Sequence, residues 1–569
     1  MRILHYACIL FLFSLNGCDS TGDRINKKDL GGVGGGGDGF TSTDDLGEDP
    51  GLPDGGIYDP GDAGYVVQDP KDCTEAAANK SYIGCDYWPT VTANAVWSIF
   101  DFAVVVSNPG TTPADVTVTG PADDATPTVP TNEHVTVMPN QLVKIYLPWV
   151  KDLKGADADA MGGSMPITAS VFHAKGAFHL VSTAPVLVYQ FNALEYIGQG
   201  GKPGKSWDSC PGGKTACYSY SNDASLLLPS TAMTGNYRFT GEHGVDGVPG
   251  IPILGIPDGP GLSAYMVITA TQDGTNVKIK VSASGKILTG TGVTATAAGA
   301  TLPLTMNAGD VVELVSDGKT ASDLSGSLIQ ADKPVQVIGG VPCIANPSNA
   351  CDHIEETVMP AETLGKQYVV EMPTGPHDVA VPATVRFVGN VDGTKLTYTP
   401  AVPGAPATLN AGQVVELATV SVDFLVAGDH EFIVTVVQKS ASVVDPGTAA
   451  AKQKGDPSLS SIVAVQQYRL KYVFLAPNDY DLSYADVVAP MNATLMLDGA
   501  AVTATPSGVG STGYGVYRIK LGAGQSGAHT LEANTPVGLQ VIGYGSYTSY
   551  QYPGGLNLLS IAPPPPPIS

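Results

Sequence analysis

Ser-Leu-Ile-Gln-Ala-Asp-Lys-Pro-Val-Gln-Val-Ile-Gly-Gly, residues 327–340, begins the stretch that decides the fold, and Leu-Gly-Lys-Gln-Tyr-Val-Val, residues 364–370, ends it. The β-branched residues after Pro334 predict a strand, because proline is tolerated at the first position of a strand. Cys343 and Cys351 then enclose a loop, and an acidic run follows the second cysteine. The glycine of the closing segment predicts a turn before the next strand. The stretch therefore predicts strands joined by a loop and a turn.

Pieces of this pattern recur along the chain. Asn-Ala-Gly-Asp-Val-Val-Glu-Leu at 307–314 returns as Asn-Ala-Gly-Gln-Val-Val-Glu-Leu at 410–417. Prolines also lead strand-forming segments at Pro185 and Pro536. A repeat of about 100 to 130 residues with short strands and glycine turns has the size of a β-sandwich and exceeds one propeller blade. The sequence therefore predicts an all-β protein of tandem β-sandwich-like modules, with a propeller of subdivided units as the alternative.

Three further segments look alike, because each runs from a proline to an aromatic residue. They begin at Pro229, Pro360 and Pro477 and reach Tyr237, Tyr368 and Tyr484. The predicted domain limits are a signal peptide at 1–18, a Gly/Asp-rich disordered linker at 19–72, β-modules at 73–200, 201–350, 351–460 and 461–555, and a proline-rich tail at 556–569. Aspartates in the linker suggest calcium binding as an alternative, but their spacing misses the EF-hand loop, which favours a solvated tether.

The composition indicates an exported protein without a nucleic-acid partner. The chain has 569 residues, of which 68 are glycine, 44 are proline and only 14% are charged. Low charge with abundant Val, Thr, Ala and Gly favours an extracellular β protein over a helical cytosolic enzyme. The net charge of −24 argues against a phosphate-backbone partner, because the sequence has no basic stripe to release counterions.

The N-terminal residues predict export and a lipid anchor. Arg2 precedes an apolar run at 7–15, which is too short to span a bilayer and has the form of a secretory signal. Leu15-Asn16-Gly17-Cys18 then resembles a bacterial lipobox, in which the cysteine is lipidated. Insertion of several acyl chains at Cys18 predicts a membrane anchor and a location in the cell envelope, at the outer membrane or cell surface. The alternative is an ordinary signal peptide with an incidental cysteine.

The cysteines beyond the signal occur as close pairs. They are Cys73 with Cys85, Cys210 with Cys217, and Cys343 with Cys351. Since the pairs lie far apart, pairing within each is favoured, and each predicts a disulfide bond that closes a short loop in an oxidising compartment. The chain-entropy model gives each bond about 2–3 kcal/mol. A metal site is the alternative, but the Cys-x-x-Cys spacing that such sites use is missing. We predict no cofactor.

The acidic run is the sharpest candidate for chemistry. Carboxylates with one imidazole can hold a metal ion, with Asp352, His353 and Glu355 as candidate ligands, or supply acid/base catalysis. However, Glu355 and Glu356 point to opposite faces of an extended chain, so one ion cannot easily take all of them. The favoured interpretation is structural, a capped turn beside the Cys343–Cys351 loop. The sequence has no nucleophile elbow, zinc-binding helix motif or phosphate loop, and we predict no catalytic residue.

Tyrosines give the sequence its one local indication of a binding surface. Tyr544, Tyr547, Tyr550 and Tyr552 crowd the last predicted strand, with glycines nearby. Exposed tyrosines among flexible glycines make adaptable contact surfaces. The favoured alternative is a tyrosine-rich strand that packs on a core.

Several ordered motifs resemble the family named for the N-terminal domain of the IgG-Fc-binding protein, in its bacterial lipoprotein form. The resemblance spans about residues 73–555. Its motifs are Ser221-Asn222-Asp223-Ala224-Ser225-Leu226-Leu227-Leu228-Pro229, Lys333-Pro334-Val335-Gln336-Val337-Ile338-Gly339-Gly340, Cys351-Asp352-His353-Ile354-Glu355-Glu356, Tyr368-Val369-Val370 and Gly543-Tyr544-Gly545-Ser546-Tyr547. The resemblance implies a binding domain.

The favoured functional hypothesis is noncatalytic binding or adhesion at the cell surface by rigid β-modules on a disordered tether. The expected partner is an extracellular protein or glycan, with membrane contact through the lipid anchor and no nucleic acid. One alternative is a surface hydrolase that acts on polysaccharide or protein at the acidic run. The other is a structural scaffold of the envelope or matrix.

Overall fold

The computed structural model describes residues 69–122, 130–157, 167–211, 213, 217–247, 261–347, 351–525 and 527–568. The predicted signal peptide, Cys18 and the linker up to residue 68 lie outside the described residues. Among the described residues, no helix is both long and apolar enough to cross a membrane.

Strands dominate the described part of the chain, and the predicted all-β class with tandem sandwich-like modules is confirmed. The helical segments are α1 (Cys73–Ala78), α2 (Lys151–Lys154), α3 (Ala441–Val444) and 3-10 turns at Ala361–Thr363, Ala450–Lys452 and Val465–Gln467. Asp72 caps α1, because its carboxylate accepts a hydrogen bond from the Glu75 amide at 2.8 Å.

The described strands form four successive repeats, numbered first to fourth. The first repeat contains β1 (Gly84–Tyr87), β2 (Phe102–Ser107), β3 (Ala114–Ala122), β4 (Pro130–Val137), β5 (Leu142–Leu147), β6 (Ser170–His173), β7 (His179–Asn192) and β8 (Ala224–Leu226). The second contains β9 (Asn236–Arg238), β10 (Tyr265–Ala270), β11 (Thr275–Lys280), β12 (Gly290–Thr291), β13 (Thr301–Met306), β14 (Val311–Val315), β15 (Leu328–Ala331), β16 (Val335–Ile344) and β17 (Asp352–Thr357).

The remaining strands complete the third and fourth repeats. The third contains β18 (Gln367–Val370), β19 (Ala383–Gly389), β20 (Thr394–Thr399), β21 (Thr408–Leu409), β22 (Val414–Val420), β23 (Phe424–Gly428), β24 (Phe432–Gln438) and β25 (Leu459–Ser461). The fourth contains β26 (Arg469–Leu475), β27 (Leu482–Pro490), β28 (Leu495–Leu497), β29 (Ala500–Ala501), β30 (Ser507–Gly508), β31 (Tyr514–Lys520), β32 (Ala528–Gly545) and β33 (Thr548–Pro553).

Each sheet contains strands of one repeat, except that β6 of the first repeat lies in a sheet of the second. The first repeat orders β4-β3-β7-β2-β5, with β1 and β8 also on β7. The second has β12-β6-β14-β10-β16-β17, which borrows β6, and β13-β11-β15-β9. The third has β18-β23-β20-β21 and β22-β19-β24-β25, and the fourth has β29-β28-β32-β27-β31-β30 with β26 and β33 on β32. Because β6 crosses between repeats, neighbouring repeats share main-chain hydrogen bonds.

The prolines that lead strand-forming segments lie at corners. At each corner the chain leaves one set of strand partners for another. Pro185 divides β7, which pairs with β3 before the proline and with β2 after it. Pro536 divides β32 similarly, between its pairing with β26 and its pairing with β27. Pro334 separates β15 from β16, which lie in different sheets. Proline has no N–H to donate, so it suits a position where the ladder is interrupted.

A buried tyrosine holds the corner of each repeat, and we call these the corner tyrosines. The hydroxyl donates to the carbonyl of the first strand residue after the corner. The bonds run from Tyr87 to Val186 at 2.6 Å, Tyr237 to Val335 at 2.6 Å, Tyr368 to Phe432 at 2.6 Å and Tyr472 to Val537 at 2.5 Å. Each hydroxyl also accepts from the amide three residues earlier. The predicted equivalence of Tyr484 is therefore wrong, since Tyr472 holds the fourth corner and Tyr484 donates to Asp378.

The sheets stack so that the middle strands are buried on both faces. In β10, Tyr265 and Val267 pack in the core that the first and second repeats share, whereas Met266 and Ile268 pack inside the second repeat. This alternation is the two-residue period of a strand. Because some cores are shared between repeats, the predicted limits of separate modules stay a prediction.

The sequence repeat at 307–314 and 410–417 corresponds to equivalent turns. The Asn307 side chain accepts from the Gly274 amide at 3.1 Å, and the Asn410 side chain accepts from the Gly393 amide at 3.0 Å. The next amide of each turn donates to an aspartate of the facing hairpin. The three cysteine pairs form disulfide bonds, Cys73–Cys85, Cys210–Cys217 and Cys343–Cys351.

Candidate functional site

The acidic run lies where strands of all four repeats come together. Its residues form β17, so the predicted capped turn is wrong in its local geometry. The last strand of each repeat, β8, β17, β25 and β33, comes together with the others here, and we call this place the junction. All residues of β17 are buried. The burial explains why a strand rather than a solvated turn forms, because each polar group has to find a partner inside the protein.

Asp223 joins the last strands of all four repeats. Its carboxylate accepts hydrogen bonds from the amides of Ala224 at 2.9 Å, Glu355 at 3.1 Å, Leu459 at 3.1 Å and Gln551 at 3.4 Å. These donors belong to β8, β17, β25 and β33 in turn. Sequence reasoning included Asp223 in a family motif but gave it no role. A local signal for that role is missing, because three of its donors lie more than 100 residues away along the chain.

Asp352 makes a second set of bonds of the same kind. One of its oxygens accepts from the amides of Asn222 at 2.6 Å and His353 at 2.8 Å. The other accepts from the Thr548 hydroxyl at 2.8 Å and the Ser549 amide at 3.3 Å. Both oxygens are therefore occupied by donors of this chain.

His353 and Glu355 lie together on the other face of β17. The His353 Nε2 and a Glu355 carboxylate oxygen are 3.5 Å apart. Glu355 also accepts from the Thr92 hydroxyl at 2.8 Å and the Gln190 amide nitrogen at 3.1 Å. The structure thus brings two of the three predicted metal ligands together. The third, Asp352, lies on the opposite face of β17.

Burial shifts the pKa of the junction acids upward. It raises the pKa of Asp223, Asp352 and Glu356 well above the ordinary carboxyl range, although hydrogen bonds from amides oppose the shift. Burial also raises the pKa of Asp456, beside Asp352, to about 8. Because the oxygens of Asp223 and Asp352 already accept hydrogen bonds from donors of this chain, they are not free to coordinate a cation.

A second acidic cluster lies between the second and third repeats. Within the described residues, ligand atoms of Glu242, His243 and Glu416 converge to within 4.8 Å of one another. The buried Arg386 guanidinium lies among them, 3.2 Å from Glu242 and 3.4 Å from Glu416, and also pairs with Asp323. Burial raises the pKa of Glu242, and the charge of Arg386 opposes this. Arg386 therefore supplies the positive charge that a metal ion would bring.

The tyrosine-rich last strand is part of the core. Tyr544, Tyr550 and Tyr552 are fully buried, whereas Tyr547 is partly exposed. Tyr550 packs edge-on against Tyr480 at 4.7 Å between ring centroids, and Tyr552 packs on Tyr189 at 4.8 Å. The favoured core interpretation therefore holds for three of these four tyrosines.

The fold and the junction define the class of protein. It is an all-β protein of sandwich-like repeats, and its buried junction acids accept hydrogen bonds that join strands of different repeats. The family model described as IgGFc binding protein matches residues 223–543, more than half of the chain. The chain therefore belongs to this family.

Comparisons with individual proteins are partial. The chain is 30% identical over 285 residues to the human protein named IgGFc-binding protein, in a match that covers 45% of this chain and 5% of the human protein. The chain thus corresponds to a small part of that relative. A solved structure titled anti-sigma factor domain-containing protein shares 10% identity, covers 56% of this chain and 90% of its own, and has a TM-score of 0.11. A TM-score at this level carries no argument about fold.

Proposed function

We propose that this chain is an exported, lipid-anchored cell-surface protein that binds an extracellular protein or glycan without catalysis. Membership of a family named for binding is the observation that carries the proposal. The bonding of the junction supports it, because the carboxylates of the acidic run accept hydrogen bonds from the chain's own donors. The hydrolase alternative places its chemistry on these same acids, and their burial gives that alternative no support.

Rigidity suits such a role. Preorganised surfaces lose little conformational entropy when they bind, and connected repeats hold the surface loops in fixed relation. The corner tyrosines restrain each repeat internally, and the shared cores and the junction restrain the repeats against each other. We therefore place recognition on the loops and outer faces of the repeats.

The binding proposal is tested with purified protein carrying Cys18→Ser, so that it is free of lipid. We would measure its binding to human IgG Fc, to matched Fab, to a glycan array and to envelope extracts. We expect saturable binding to one ligand, which mass spectrometry recovers intact. Cleavage of the ligand would support the hydrolase instead. Failure to bind any soluble ligand, with retention in insoluble envelope material, would favour the scaffold.

The anchor has its own matched control within the sequence. Cys18→Ser removes the predicted acylation site, whereas Cys8→Ser changes a cysteine inside the predicted signal. We expect the Cys18→Ser protein to leave the membrane fraction and to lose incorporation of labelled palmitate, while the Cys8→Ser protein keeps both. Membrane retention of the Cys18→Ser protein would contradict the anchor and leave the binding proposal standing.

A further inference from the structure

A groove runs between the second and third repeats. One wall comes from β9, β11 and β15, and the other from two turns of the third repeat at 390–392 and 410–413. Residues 563–568 complete the lining, and these three sides bound an open cavity of about 970 Å³. The second turn is the repeated Asn-Ala-Gly motif, for which the proposed function has no use. We call this place the groove.

The chain's own proline-rich segment, residues 563–568, lies along the groove. Pro565 and Ile568 are buried, whereas Pro563, Pro564, Pro566 and Pro567 are exposed. A polyproline II helix has three residues per turn, so residues 565 and 568 fall on one face. The burial pattern therefore matches a polyproline II helix that is seated by one edge.

Gln330 of β15 contacts the backbone of this segment. Its side-chain nitrogen lies 3.3 Å from the carbonyl oxygens of both Pro565 and Pro566, to which it donates. Its side-chain oxygen accepts from the Ile568 amide at 2.5 Å. Prolines have no N–H, so the Ile568 amide is the one backbone donor within residues 563–568. The Gln330 side chain thus holds three backbone groups of the segment.

The groove also carries polar atoms that make no hydrogen bond to the segment. Arg238 is only 7% exposed, and its Nε has no hydrogen-bond acceptor among the described residues. Its Nη1 donates to the Gly326 carbonyl at 2.9 Å. The Asn390 side-chain oxygen likewise has no donor in the part of the chain that is described. Exposed carbonyls of a polyproline II chain are the acceptors that a buried guanidinium lacks.

We propose that the groove is a binding site for proline-rich polypeptide in the polyproline II conformation, and that residues 563–568 are its resident ligand. The site selects apolar residues three positions apart and reads the backbone through Gln330. Because the segment is tethered, its effective concentration is in the millimolar range, and a free peptide has to compete with it. The segment therefore restrains access of a proline-rich partner to the groove. This inference does not depend on the proposed function.

The test is fluorescence anisotropy with a labelled peptide of sequence Ile-Ala-Pro-Pro-Pro-Pro-Pro-Ile, the sequence of residues 561–568. The Ile568→Asp substitution in the full protein unseats the segment without touching the groove walls. Pro567→Asp is the matched control, since it adds the same charge at an exposed position. We expect the peptide to bind the Ile568→Asp protein at least tenfold more tightly than the unsubstituted protein or the control. Gln330→Ala in the Ile568→Asp protein should remove that gain.

A peptide with glycine in place of the five prolines should bind neither the unsubstituted protein nor the Ile568→Asp protein, because it lacks the preformed polyproline II helix. Amide exchange of Ile568 gives a second readout, and we expect protection in the unsubstituted protein that Gln330→Ala removes. Equal peptide binding to all variants, no binding to the Ile568→Asp protein, or exchange of Ile568 as fast as in a free peptide would each overturn the proposal.

Discussion

Asp223 accepts backbone hydrogen bonds from the last strand of every repeat, and Asp352 accepts the amides of Asn222, His353 and Ser549. A carboxylate can do this because its two oxygens offer about four acceptor sites and no donor that would clash with an amide. Asparagine has nearly the same shape but replaces one oxygen with a donor. The Asp-to-Asn change therefore probes the acceptor role with little change in volume.

We expect Asp223→Asn to lower the free energy of unfolding by about 3 kcal/mol, because the new amide group leaves buried main-chain donors without an acceptor. Urea denaturation followed by circular dichroism measures the change. Asp429→Asn is the control, since Asp429 also accepts an amide, from Lys395 at 2.7 Å, but lies at the surface. That control should change stability by less than about 0.5 kcal/mol. Similar losses for both variants would contradict the special role of the junction.

Stability should fall as the pH rises from about 5 to 8. Burial raises the pKa of Asp456 and Glu195 to about 8 and that of Asp486 to about 6. Unfolded carboxyl groups titrate near pH 4, so the native state holds protons that the unfolded chain has released. Each such proton contributes a slope of about −1.4 kcal/mol per pH unit up to the folded pKa of its own carboxyl group, so Asp486 contributes only up to about pH 6.

The pH dependence is checked by urea denaturation at several pH values. Asp456→Asn carries no titrating proton, so its unfolding free energy should fall less steeply with pH than that of the unsubstituted protein. Carboxyl groups whose pKa is lowered, such as Asp323 beside Arg386, act below this window and do not obscure the slope. A stability that rises from pH 5 to 8, or an unchanged slope in Asp456→Asn, would contradict the expected protonation.

At the scale of elements, glycines allow the second and third repeats to approach closely. A Cβ atom at Gly326 would lie 2.1 Å from the Gly412 carbonyl oxygen, and Gly326 has φ +87°. Gly393 has a similar φ of +73° but nothing within 4 Å. The two positions therefore separate the cost of a left-handed backbone from the cost of a contact between repeats.

We expect Gly393→Ala to lose about 1 kcal/mol of stability from backbone strain alone. Gly326→Ala should lose that amount and about 1–3 kcal/mol more from overpacking against main-chain atoms that cannot turn away. Chemical denaturation of both variants measures the difference. Equal losses would mean that the contact between Gly326 and Gly412 is not as close as the structure shows.

The strands themselves could be predicted from sequence, since Pro334 and the alternating apolar residues after it carry a local signal. The corner role of proline was also within reach, because a missing N–H is a local property. Tyr472 was missed because its equivalence to Tyr237 and Tyr368 depends on which carbonyl its hydroxyl meets in space. The acidic run was expected in a turn because charged residues are usually exposed. Its donors, including Thr92, Asn222 and Thr548, are too far along the chain for local patterns to reveal.

At the scale of the whole molecule, the repeats are joined by shared cores, by exchange of β6 and by the junction. A binding protein gains from such connections, because surfaces on different repeats keep their relative positions. An enzyme or metalloprotein of the same fold would need free carboxylates in an accessible pocket. We therefore conclude that Asp352 and the neighbouring acids hold the fold together.

Calorimetric unfolding with and without chelator tests this claim most directly. Protein carrying Cys18→Ser would be compared with the same protein carrying Asp352→Asn as well, each in EDTA and in millimolar calcium or zinc. The architectural role predicts that the melting temperature of the first protein is the same with chelator and metal, and that Asp352→Asn lowers it equally in both. A melting temperature that falls in EDTA, and a metal effect that disappears in Asp352→Asn, would contradict the account.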